Sequence, residues 1–87
     1  MTKIYIYCLF DRFDKFLGVY SSLKTVHRDA VRYCNRGNSR VVLQADGRLH
    51  DASLTNLRNL FKGRVNREVM YCNDRQGVKV LKTNLTE

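Results

Sequence analysis

The sequence predicts an α+β domain: an antiparallel sheet with two helices on one face, in the order β-β-α-β-α-β-β. Two observations lead there. Five short segments rich in Ile, Val, Tyr and Leu are bounded by turn residues, and the first two and last two of them read as hairpins. Two further stretches carry apolar residues at three- and four-residue spacing behind a Ser or Asp cap.

"KIYIYCLF" (Lys3–Phe10) sets Ile4, Ile6, Cys8 and Phe10 on one side of an extended strand and Tyr5, Tyr7 and Leu9 on the other. Both sides are apolar or aromatic. Such a segment reads as a central strand covered on two sides, or covered on one of them by a second subunit. "DRFDK" supplies turn residues, with Phe13 expected to be exposed, and "FLGVYS" returns as the second strand. Ser21 or Ser22 then caps a helix running to about Asn35, with Leu23, Val26, His27, Ala30, Tyr33 and Cys34 on its apolar face. "NRGN" closes it, Gly37 being suited to a left-handed cap.

"SRVVLQ" (Ser39–Gln44) is the third strand, and Asp46-Gly47 after it is a strong turn signal. Helical spacing resumes at Leu54, Leu57, Leu60 and Phe61, capped by Asp51 or Ser53 and stopped at Gly63. "NREVMYCN" and "VKVLKTNL" form a C-terminal hairpin around "NDRQG".

At 87 residues the chain is one domain, residues 1–87, with room for a single core. A domain this small buries only about 60–65% of its unfolded surface, so a homodimer is expected as the route to further burial. A hydrophobic fraction of 44% and the absence of proline place it among globular rather than disordered chains. No apolar run reaches the roughly 18–20 residues of a membrane span, and no small-residue cleavage site follows the N-terminal apolar block. The expectation is a cytoplasmic protein with no membrane partner. Cys8, Cys34 and Cys72 are odd in number and widely spaced, which points to reduced thiols.

Charge is the most informative feature. Sixteen Lys and Arg against 8 Asp and Glu give a net +8, a balance that attracts polyanions. In the first helix Lys24, Arg28, Arg32 and Arg36 recur every four positions. Four-residue spacing drifts about 40° per step and rises about 6 Å, so the side chains form a row pitched like neighbouring phosphates. Solvated helix faces usually mix signs, since like charges at this spacing repel. Here Asp29 is the helix's only acid and stands outside the row. Arg also binds phosphate through a planar two-point fork. Arg40, Arg48, Arg58, Lys62, Arg64 and Arg67 extend the cluster, while Asp11, Asp14, Asp46 and Asp74 fall at turns. These ten basic residues are the candidate nucleic-acid-binding set. No recognition-helix turn, zinc-finger spacing or aromatic RNP signature is present, so binding governed by backbone and shape fits best, and RNA is favoured over DNA.

No catalytic site is expected. His27 lies on an apolar helix face, and Asp51 of "HD" is explained by capping. No Cys-x-x-Cys pair or glycine-rich phosphate loop occurs, so neither metal nor cofactor is expected. Two other partners fit a basic face: a host nuclease, toxin or CRISPR effector inhibited directly, and a DNA site bound by a small regulator.

"YIYCLFDRFDKFLGVYSSLKTVHRDA" resembles small accessory proteins of tailed bacteriophages, with a tyrosine-rich strand, a hairpin and an "SSL"-capped helix. The similarity is to the basic counter-defence proteins of T-even-type phages, TifA-type antitoxins among them. It implies a protein made in the host cytoplasm that blocks a defence system by binding, and it supplies no catalytic residue. "SLTNLRNLFKGR" is similar, more weakly, to helical DNA-contact modules appended to homing endonucleases.

Overall fold

A computed structural model describes residues 4–35, 40–73 and 76–85. Eight elements follow one another: β1 (Ile4–Asp11), β2 (Phe16–Tyr20), α1 (Leu23–Cys34), β3 (Val42–Ala45), β4 (Arg48–Asp51), α2 (Leu54–Phe61), β5 (Arg67–Cys72) and β6 (Gly77–Leu85). The α+β class and the order of elements expected from the sequence are both present, with one short strand, β4, in addition. All six strands join one antiparallel sheet in the order β2-β1-β6-β5-β3-β4. The last strand of the chain thus lies between the N-terminal hairpin and the other three strands.

Local chemistry sets the boundaries. In the first turn the Asp11 carboxylate accepts from the Phe13 and Lys15 backbone N–H groups at 2.8 and 2.9 Å. Ser22 is the N-cap of α1, its Oγ accepting from Thr25 N, and Ser53 does the same for α2 through Asn56 N. Asp46 and Gly47 both adopt positive φ, 54° and 73°, between the paired residues Ala45 and Arg48. A two-residue turn of this kind matches strand twist, so it drives a hairpin rather than a mere bend. Gly63 follows α2 at φ 70°. Gly37 and Ser39 lie outside the described residues, as do Asp74 and Arg75 of the "NDRQG" turn, and β3 begins at Val42.

Alternation sorts the sheet into two faces. Tyr7 and Leu9, Val78 and Val80, Val69 and Tyr71, and Leu43 and Ala45 point under the helices and are buried. Val26, Ala30 and Cys34 of α1 and Leu57 and Phe61 of α2 close that core, the two helices touching each other on the same face. Full burial of a side chain the size of Leu57 or Phe61 contributes about 1.5–3 kcal/mol. Lys82 shares the parity of Val78 and Val80 and is 8% exposed. Its Nζ donates to the Phe61 carbonyl at 2.9 Å, so a cation sits at the C-terminal end of α2, where the helix dipole favours it.

The opposite face has no helix over it. It bears Ile4, Ile6, Cys8 and Phe10 of β1, and register extends it through Leu81, Met70 and Val42 to Leu49. Cys8 and Cys72 share this face, but β6 separates their strands, and the partners Leu81 and Gly77 lie four residues apart along it. That is about 13 Å along the strand alone.

Candidate nucleic-acid interface

The burial of Val26, Ala30 and Cys34 fixes the rotation of α1 and turns Lys24, Arg28 and Arg32 directly away from the sheet. All three are exposed. Arg28 Nε lies 3.3 Å from Asp29 Oδ1, with the Arg28 side chain still 63% exposed. Asp29 is held mainly by Tyr20, whose hydroxyl donates to Oδ2 at 2.6 Å. That hydrogen bond, with Arg28 and Arg32 nearby, lowers the Asp29 pKa, while burial and the carboxylate push Tyr20 up to about 12. Lys24 and Arg32 form no salt bridge among the described residues. Arg36, the fourth member of the row, lies outside the described residues.

Beside the row, Lys24, Thr25 and Arg28 rim a groove of about 650 Å³ shared with His27, Val31 and Leu54, the first residue of α2. His27 Nδ1 is 2.6 Å from the Tyr71 hydroxyl. Burial raises the Tyr71 pKa and lowers that of His27. The phenol therefore keeps its proton and the ring stays neutral, sharing one hydrogen bond whose direction follows the ring tautomer. This is the packed histidine that its place on the apolar helix face suggested.

The remaining basic residues divide. Arg48, Arg58 and Lys62 are exposed without salt bridges among the described residues. Arg40 is paired with Asp51 at the β4 edge. Arg64 and Arg67 converge on Asp46, at 3.6 and 2.6 Å. Arg67 is only 12% exposed, and its Nε is buried without a hydrogen-bond partner among the described residues. The acids were expected to stand apart from the basic cluster; Asp46 instead sits inside it. The cause is topological: pairing of β3 with β5 carries the Asp46 turn alongside the start of β5. Six of the ten candidates (Lys24, Arg28, Arg32, Arg48, Arg58 and Lys62) thus remain largely available to an outside anion.

Sequence reasoning missed Arg12, whose guanidinium carbon lies 4.8 Å from the Phe13 ring centre. Phe13 is 75% exposed, as its turn position suggested. These two line a second groove with Tyr33 and Gln76. Tyr7 and Tyr71 are core residues. No group of His, Cys, Asp and Glu among the described residues could hold a metal ion, and no described helix is long and apolar enough to cross a membrane.

No protein-family model, curated protein or solved structure matches the chain.

Proposed function

We propose that this chain is a non-enzymatic RNA-binding protein that grips the sugar–phosphate backbone through Lys24, Arg28 and Arg32. The observation that carries this reading is the outward rotation of that row, with a single exposed ion pair along it. A six-ångström pitch of cations suits successive phosphates, and the contact reads backbone and shape rather than base sequence. Duplex DNA is the weaker fit. The two helices are separated by the β3–β4 hairpin, so they do not form a helix-turn-helix pair. The resemblance to phage proteins supports a counter-defence or antitoxin role in the host cytoplasm, exerted by binding.

The test is fluorescence anisotropy with a structured RNA across a salt series. Three phosphate contacts give a log–log salt slope of about −2 on single strands and somewhat steeper on duplex. K24E/R28E/R32E should weaken binding at least tenfold and flatten that slope, with the far-UV spectrum unchanged. An affinity indifferent to salt, or to the triple reversal, overturns the reading. A stoichiometric complex with a host nuclease or toxin that survives nuclease treatment would favour direct protein inhibition instead.

A further inference from the structure

The geometry points to the helix-free face of the sheet as a docking surface for a second copy of this chain, packed sheet against sheet. This inference is independent of RNA binding.

Along β1 and β2 the face is apolar where a monomer's would be polar, and Thr83, Lys79, Glu68, Gln44 and Asp51 interrupt it only beyond β1. One-sided antiparallel sheets alternate apolar inside with polar outside, yet β1 presents Ile4, Ile6, Cys8 and Phe10 to the open side. β2 adds Phe16 and Val19, the Phe16 ring packing edge-on to Phe10 at 5.7 Å. Ile4, Phe16 and Val19 remain 54%, 54% and 56% exposed, and Leu49 at the far edge 67%. These side chains belong to one continuous surface through the registers of β1 with β2 and β6, β6 with β5, β5 with β3, and β3 with β4.

Area and charge both suit a second copy. Six strands about 4.8 Å apart and four to nine residues long give a flat area of roughly 550 Å² before side-chain relief. That approaches the roughly 800 Å² per partner of a standard interface. Charge is sparse here despite the chain's net +8. By register the face carries Lys79, which is paired with Asp14, together with Glu68 and Asp51, and Asp51 is paired with Arg40. Two such faces can meet without opposing their net charge, because the exposed cations of α1 are on the other side of the molecule. An acidic protein partner would find no cationic surface here to complement, whereas an identical apolar face is self-complementary in the isologous manner of two-fold dimers.

The experiment is sedimentation equilibrium on the full chain from about 1 to 100 µM, alongside V19E, F16K and L49K. The expected mass is twice 10.2 kDa. V19E or F16K should raise the dissociation constant roughly 30-fold or more, as loss of an interface anchor does. Both residues are exposed near the sheet edge, so the monomer fold should tolerate them, and L49K offers a third site if either fails to fold. F13K, an exposed aromatic in the β1–β2 turn, should leave the dimer intact. A wild-type chain that stays at 10.2 kDa throughout the range overturns the proposal. So does a dimer that all three face variants leave unchanged, or one that F13K breaks equally.

Discussion

His27 shows how a single side chain can tie a helix to the sheet beneath it. It sits beside the cationic row, shares a hydrogen bond with Tyr71 and is held neutral by burial. A histidine whose folded pKa lies below its unfolded value takes up its proton first in the unfolded chain. The stability it supports is therefore present above about pH 6.5 and is lost as pH falls through and below that value. The urea midpoint should drop between pH 7.5 and 5.5, and H27Q, which can still share a hydrogen bond with Tyr71, should lessen that drop. An identical pH dependence in both proteins would show that the ring takes no part. Lys82 makes the converse point. In "VKVLKTNL" it reads as one more surface lysine, yet its parity with Val78 and Val80 was the signal of burial. The carbonyl of Phe61, 21 residues earlier in the chain, and the Tyr5 ring 4.6 Å from Nζ explain how that burial is satisfied.

Among the elements, caps and turns were legible because their chemistry is local. Ser22, Ser53 and the Asp46-Gly47 pair each act within a few residues of themselves. The strand after that pair was harder to see. Arg48–Asp51 has one apolar side chain, Leu49, and it faces solvent. Nothing in such a segment announces a strand except the turn before it, which specifies a partner. Gly47 tests that dependence. A Cβ there meets nothing within 4 Å, so any penalty for G47V comes from the backbone at φ 73°. Holding a β-branched residue in that region costs about 1–2 kcal/mol, which for a domain of this size lowers the melting temperature by roughly 5–15 °C. A change of under about 2 °C in calorimetry would mean that the turn can adopt another type. The row on α1 was equally plain in the sequence, being set by a four-residue interval. The ion pairing of Arg40, Arg64 and Arg67 was not, since Arg40 meets Asp51 across the β3–β4 hairpin, and Arg64 and Arg67 share Asp46 through the pairing of β3 with β5.

At the level of the molecule, the two-sided apolar character of the first strand divides between two faces. One side is core, and the other lies on the helix-free face of the sheet. Strand order was beyond sequence reasoning, because β1 meets its second neighbour more than sixty residues later. Removing residues 77–87 should therefore do more than trim an end. It takes out the strand that joins β1 to β5, and the truncated chain should lose cooperative urea unfolding and its near-UV circular dichroism. A truncated chain that kept both would show that the N-terminal hairpin and the β5-β3-β4 unit can hold together through the helices alone.

The placement of β6 also has a bearing on how the protein is made. During synthesis the hairpin emerges first and the β3-β4-β5 strands follow, and neither group has its shared neighbour until β6 leaves the ribosome. Closure of the sheet thus waits for that strand, and a nascent chain halted before β6 would display two unzipped half-sheets with open edges, the kind of intermediate that chaperones recognise.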